Sequence, residues 1–271
     1  MNRPVEPAYS FHQMWWDKRV DDNDGPPETR LEYQEYSSKI RELHPHYRYE
    51  FWNGRKIKAL WTDPRLARWK DFCFNTLKSH IEKCDFTRLA ILYTDPGDYC
   101  VYADLDFIVQ KCLDPLFEGR EIGLCYEPPE HYHMSKPRIY NGIILSKSRH
   151  PLWGDLMTFI MERYSELTSS LFSNAVNATG PECYETFFST YPQKVPSNAF
   201  IDTCLLVPLY KRGVSEICAP DAVENAYAYT RWYEGTGWAL ENMHNTIQDA
   251  FALVYLIVAV LIVVVMLWLQ M

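Results

Sequence analysis

Tyr99-Cys100-Val101-Tyr102-Ala103-Asp104-Leu105-Asp106-Phe107-Ile108-Val109 decides how the rest of the chain is read. Apart from two aspartates every residue is apolar or aromatic, which predicts a buried strand over Tyr99–Val109. Carboxylates inside such a strand are costly unless something compensates them. Residues two apart on a strand share a face at about 6.5–7 Å. Asp104 and Asp106 can therefore both bear on one divalent cation, directly or through water. Oxygen ligands suit Mg2+ or Mn2+, and such an ion neutralises a diphosphate and assists its departure. The bland alternative is a strand end where both carboxylates are solvated. A second triplet, Asp22-Asn23-Asp24, lies in the Pro/Gly-containing stretch Val20–Thr29 and reads as a solvated loop.

Upstream, Leu66, Trp69, Phe72, Leu77 and Ile81 recur at helical spacing, predicting a helix over Leu66–His80, and a second helix reads from Lys83 to Leu92. Asp85 and Arg88 on that second helix share one face. They read either as a surface ion pair or as a carboxylate and guanidinium that grip sugar hydroxyls or phosphate. Asp95-Pro96-Gly97-Asp98 predicts a chain reversal. Downstream, strands are predicted at Ile122–Tyr126, Ile139–Leu145 and Cys204–Tyr210. Helices are predicted at His150–Leu167, with Pro151 near its first position, and at Pro181–Tyr191, capped by Thr179 or Gly180. Helices alternating with strands predict an α/β sheet in a single domain.

The net charge of −8 over 271 residues argues against a protein built to hold nucleic-acid phosphates. Ala250–Leu269 contains no charged residue, and its only polar-edged side chains are Tyr255 and Trp268. A run of about 20 apolar residues is what a membrane-crossing helix needs. The chain is thus read as a soluble domain over 1–248 with a single C-terminal transmembrane anchor over 249–271. A terminal anchor implies insertion after synthesis with the domain left on the cytosolic side, although no Lys or Arg beyond Arg231 supports an orientation. The eight cysteines show no Cys-x-x-Cys and do not fix the redox compartment. His44-Pro45-His46 and His131-Tyr132-His133 lack cysteine or carboxylate partners at metal spacing and read as loop residues.

Several ordered blocks together resemble the DXD-containing sugar-transferase family, glycosyltransferase family 32. That family includes α-1,6-mannosyltransferases and mannosyl inositol phosphorylceramide synthases. The blocks are Phe11-His12-Gln13-Met14-Trp15, His44-Pro45 with Tyr47 to Trp52, and Cys84 to Tyr93 with Asp85 and Arg88. Tyr102 to Asp106, Leu113-Asp114-Pro115-Leu116, Asn141 to Ser146 with His150-Pro151, and Thr179-Gly180-Pro181 follow in order. The resemblance implies a GT-A fold, a nucleotide-sugar-binding α/β domain using Mn2+ or Mg2+ at its Asp-x-Asp. By that likeness Asp106 binds the metal, while Asp104 holds the sugar or ribose and a metal-bound water. Asp85, Arg88 and Asn141 contact the donor, and Trp15 lies near the base.

The pattern departs from the family at two places. Tyr99-Cys100 stand where the family has Gly-Gly. Arg231 to Trp238 keeps the closing Trp but lacks the His that completes the metal shell, leaving His244 or water for that position. The implied function is a membrane-anchored retaining glycosyltransferase moving mannose or galactose from GDP-mannose or UDP-galactose to a glycolipid or glycan. An ER- or Golgi-type membrane is implied, on a side the sequence does not resolve. The alternative is an inactive relative acting as a membrane-held, sugar-nucleotide-binding scaffold. The sequon Asn177-Ala178-Thr179 overlaps the Thr-Gly-Pro block, so it is predicted to be unmodified.

Overall fold

A computed structural model describes residues 8–16, 31–131, 137–169, 175–210 and 213–230. All lie in the first of two units into which the chain divides, Met1–Thr230; the second is Arg231–Met271. The predicted anchor, the Arg231–Trp238 block, His244, His133 and the Asp22-Asn23-Asp24 triplet fall outside the described residues. Among the described residues no helix is long and apolar enough to cross a membrane.

The elements run β1 (Tyr9–Met14), α1 (Leu31–Leu43), β2 (Tyr47–Trp52), α2 (Gly54–Leu60), α3 (Ala67–Asp71), α4 (His80–Thr94), β3 (Tyr99–Ala103) and β4 (Phe107–Val109). There follow β5 (Ile122–Tyr126), β6 (Ile139–Lys147), α5 (Pro151–Leu167), α6 (Ala175–Ala178), α7 (Pro181–Thr190) and α8 (Thr203–Leu206). The last are β7 (Leu209–Tyr210), β8 (Gly213–Val214), α9 (Ala222–Asn225) and β9 (Ala228–Thr230). Five strands form a mixed sheet in the order β2-β1-β3-β6-β5. Strand β1 is parallel to β2 and β3, whereas β6 is antiparallel to β3 and β5. The α/β class expected from the sequence holds.

Alternation along β3 divides the interior. Cys100 and Tyr102 face one apolar cluster, which holds Trp61, Phe86, Trp153, Tyr184 and Phe187 of the surrounding helices. Val101 and Ala103 face another, with Phe11, Ile40, Phe107 and Leu145. Successive strand residues point to opposite faces, so a sheet covered on both sides reads as continuously apolar.

Three sequence expectations need correction. The helix predicted over Leu66–His80 is broken: α3 gives way to a π-helical turn at Phe72–Thr76, and Leu77 is extended. Ser79 then starts α4 with a capping box, accepting from Glu82 N while the Glu82 carboxylate accepts from Ser79 N, which moves the helix start from Lys83 back to His80. Cys204–Tyr210 is not one strand, because Asp202 caps the short helix α8 and Pro208 separates it from β7. Cys204 is disulfide-bonded to Cys218. The third correction concerns the Asp-x-Asp segment itself.

Candidate functional site

The predicted strand Tyr99–Val109 is two strands, and the Asp-x-Asp is the turn between them. Asp104 N still donates to Gly142 O of β6 at 2.8 Å, but Phe107 N turns back to Asp104 O at 3.2 Å. Beyond the turn β4 leaves the main sheet and pairs with β9, Phe107 standing opposite Thr230. A chain that changes sheets has to bend at the change, and apolarity alone carries no sign of it. The turn therefore sets how Asp104 and Asp106 sit, not the alternate-residue spacing of a strand. It also puts both at the C-terminal end of a strand parallel to its neighbour, the edge of α/β sheets where ligands bind.

Asp85 and Arg88 reach this edge from α4. Each is only 5% exposed, which excludes the surface ion pair. Arg88 Nη2 lies 2.7 Å from Asp85 Oδ1 and 3.5 Å from Asp104 Oδ1, and Nη1 donates to the backbone oxygen of Asn141. The guanidinium sits over the Tyr102 ring, 5.0 Å from its centroid. Asp85 is held further by Asn141 Nδ2 at 3.1 Å and Thr179 Oγ1 at 3.0 Å. Strand β6, helix α4 and the segment before α7 thus converge on one carboxylate. Asp104 Oδ1 accepts from Tyr102 OH at 3.0 Å, and Asp106 Oδ2 from Thr230 Oγ1 at 2.9 Å.

The electrostatics are unresolved by these contacts. Burial pushes the Asp85 carboxyl up to about 6 against the pull of Arg88. Burial and the Asp104 charge push Asp106 up to about 6 as well. Asp104 is raised by burial, though 36% of its side chain is exposed and water offsets part of that push. Burial works against the Arg88 charge, but Asp104, Tyr102 and Asp85 hold its pKa above the ordinary value. Two buried polar atoms at this end, Arg88 Nε and Tyr184 OH, have no hydrogen-bond partner, and neither does Trp15 Nε1. Unpaired buried donors are costly unless a ligand meets them.

A divalent cation fits the donor set. Asp104 and Asp106 are neighbouring oxygen-only carboxylates, each pushed toward protonation, and a bound cation relieves both pushes. Among the described residues no third His, Cys, Asp or Glu joins them at metal spacing; the grouping of three that does occur is His46, Cys112 and Asp114. The sequence reading missed it because Cys112 and Asp114 stand far from His46 along the chain and meet it only through the fold.

The structure brings Asp85, Arg88, Asp104 and Asn141 into direct contact, and Asp106 follows on the same turn. Trp15 stands just past β1, its amide donating to Trp52 O at 2.9 Å. Several contributors were not singled out from sequence. Gln13 Nε2 donates to Asp104 O at 3.2 Å, while Gln13 Oε1 accepts from Ser37 Oγ and Tyr49 OH, both at 2.9 Å. Gln13 thereby ties the Asp-x-Asp turn to β1, α1 and β2. Its signal was its place in the Phe11–Trp15 block, and the structure buries it completely. Thr179 was marked only by its place in the Thr-Gly-Pro block, and Thr230 gave no comparable signal, since threonine is ordinary at a strand end.

No curated protein matches the chain. Among solved structures it resembles the PaToxG glycosyltransferase, at 16% identity over 70% of this chain and 72% of that one, with a TM-score of 0.44. It also resembles a glycosyltransferase involved in glycosylation of the major capsid of PBCV-1, at 13% identity over 88% and 98%, TM-score 0.48. A third is mouse xyloside xylosyltransferase 1 in its apo form, at 13% identity over 84% and 98%, TM-score 0.48. Residues 31–122, the stretch that holds Asp85, Arg88, Asp104 and Asp106, match the family described as glycosyltransferase sugar-binding region containing DXD motif.

Proposed function

We propose that the protein is a metal-dependent, retaining glycosyltransferase of GT-A type that moves a hexose from a nucleotide sugar to a glycolipid or glycan. The observation that carries this reading is the buried Asp85–Arg88 pair meeting the Asp104–Asp106 turn, with polar atoms left unpaired beside it. Asp104 and Asp106 would hold Mn2+ or Mg2+, which supplies charge neutralisation for the departing nucleoside diphosphate. Arg88 offers a buried, permanently charged guanidinium beside Asp104, of the sign that suits a donor phosphate. Asp85 holds Arg88 and Asn141 in place and has acceptor capacity left for a sugar hydroxyl. Trp15 presents an aromatic surface near the base.

The mannosyl subtype, with GDP-mannose as first donor and UDP-galactose as second, rests on the family 32 resemblance. So does retention at the anomeric carbon. We further read 1–248 as the catalytic domain and 249–271 as a membrane anchor. The Cys204–Cys218 disulfide favours an oxidising compartment, whereas the terminal anchor favours the cytosolic side.

Nucleotide release from a panel of GDP- and UDP-sugars with Mn2+ or Mg2+ tests the proposal. Metal-dependent turnover that vanishes in Asp104→Ala and Asp106→Ala supports it, and turnover unchanged in both variants ends it. Donor binding without turnover would make the protein a scaffold instead. The anomeric configuration of the product, read by NMR, decides retention.

A further inference from the structure

We propose that His46, Cys112 and Asp114 form a second metal site, of Zn2+ class, at the opposite end of the sheet from the Asp-x-Asp turn. Their ligand atoms, one nitrogen, one sulfur and one carboxylate oxygen, all lie within 4.8 Å of one another. A thiolate with an imidazole and a carboxylate is a borderline-soft set that selects Zn2+ over Mg2+ or Ca2+. This differs in kind from the oxygen-only pair at Asp104 and Asp106.

The ligands are held before any ion arrives. His46 Nε2 lies 2.9 Å from Asp114 Oδ2, while Tyr47 OH donates to Asp114 Oδ1 at 2.8 Å. One carboxylate oxygen is thus fixed by the protein and the other faces the histidine. The His46 ring stands edge-on between Tyr9 and Tyr47, with centroids 5.7 and 4.8 Å away. The backbone between the other two ligands is pinned as well. Leu113 N donates to His44 Nε2 at 2.9 Å, and His44 Nδ1 donates to Ile40 O at 2.8 Å. Outer contacts of this kind orient ligands and accompany real metal sites. His46 and Asp114 are part-exposed, at 43% and 39% of their side chains, which leaves an entry path and a coordination position for water.

Location separates the two sites. Tyr9 opens β1 and is paired in register with Tyr47, whereas the Asp-x-Asp turn lies beside the far end of β1. Five strand rises from Tyr9 to Met14 span ~16 Å. An ion here would join the segment after β4 to the start of β2. It would brace the far end of the unit that carries Asp106, without touching a donor. Binding would release the Cys112 thiol proton to solvent and leave His46 neutral, ligating through Nε2.

The test uses the full-length chain, stripped with a chelator and titrated with Co2+ and then Zn2+. One equivalent of Co2+ should give a thiolate-to-cobalt charge-transfer band that Zn2+ displaces. That band should persist in the Asp104→Ala/Asp106→Ala variant and disappear in Cys112→Ser. Tyr47→Phe should weaken affinity about tenfold, as the loss of an outer-shell partner does. Peptide-resolved alkylation of the wild type needs no variant: Zn2+, but not Mg2+, should protect Cys112. A band retained in Cys112→Ser, or alkylation of Cys112 indifferent to Zn2+, overturns the proposal.

Discussion

Helix α4 carries two carboxylate networks, Asp85 within it and Asp95 capping its end, ten residues or ~15 Å apart. Both are buried, and they are built oppositely. Asp95 Oδ1 accepts from Gly97 N and Ser148 Oγ at 2.8 Å. Its Oδ2 accepts from Arg48 Nη2 at 2.8 Å and His12 Nε2 at 2.9 Å. Trp52 Nε1 donates to His12 Nδ1 at 3.1 Å, so Nε2 is the nitrogen left to donate. Burial alone would raise the Asp95 pKa, but these donors hold it well below the carboxylate range. Around Asp85, Asp104 and Asp106 the same burial wins, the carboxyls rise, and Arg88 Nε and Tyr184 OH stay unpaired. A finished network serves the fold. An unfinished one leaves a carboxylate open, with 36% of the Asp104 side chain exposed.

Breaking each network should therefore fail differently. Asp106→Ala should lower nucleotide-sugar turnover on the order of 10³-fold, the scale of losing one electrostatic stabiliser of a developing charge. Its melting temperature should hold or rise, since a carboxyl that burial opposes is removed. Asp95→Ala should do the reverse, costing about 2–3 kcal/mol of stability because the buried donors of His12 and Ser148 lose their acceptor. Denaturant melts of both variants beside the wild type check the pair. A loss of stability in Asp106→Ala as large as in Asp95→Ala would erase the distinction.

Gln13 follows His12 of the Asp95 network along β1 and holds the backbone of Asp104. Gln13→Glu keeps the size but sets an acceptor against the Asp104 carbonyl, and turnover should fall about tenfold, near the value of one buried hydrogen bond. Mn2+ affinity should weaken with it, which a purely structural role would not require. Gln13→Glu binding Mn2+ like the wild type would remove Gln13 from the site.

Acidity separates the networks by sign. Asp85 and Asp106 have folded pKa values of about 6, above the ordinary carboxylate value, so their contribution favours the fold at low pH and is lost as pH rises toward 6. Asp95 is depressed, so its contribution is full above about pH 4 and is lost as pH falls below it. Without divalent ions the melting temperature should decline by a few degrees between about pH 4 and 6. Saturating Mn2+ should flatten that limb by holding Asp106 ionised. A metal-free profile already flat there would contradict the buried strain.

The sequence revealed chemistry better than geometry. Asp104 and Asp106 stood out as charges inside an apolar strand, whereas Asp85 and Arg88 were marked by a shared helix face and the family likeness, with a surface ion pair equally open. The bend after Ala103 did not stand out, because β4 is as apolar as β3 and its partner β9 lies more than a hundred residues downstream. The break before α4 was present as Ser79 and Glu82, a capping pair three residues apart that helical periodicity had masked. His46 was set aside for want of partners that only the fold supplies. Local signals survive in a sequence, whereas meetings between distant segments do not.

The smallest expected effect concerns the sequon, where the Asp85 network decides between two readings of one tripeptide. Thr179 is 0% exposed, and its hydroxyl donates to Asp85 Oδ2, while the Asn177 amide donates to Glu182. A glycan on Asn177 would have to displace that amide contact within two residues of the donor site. Asn177→Gln should therefore leave both the mass of the 177-containing peptide, apart from the substitution, and turnover nearly unchanged. Thr179→Val destroys the same sequon but removes one of three donors on Asp85, and turnover should fall several-fold. Equal behaviour of the two variants would mean the threonine serves the tripeptide. Unequal behaviour makes Thr179 part of the site, which is why the hydroxyl is buried.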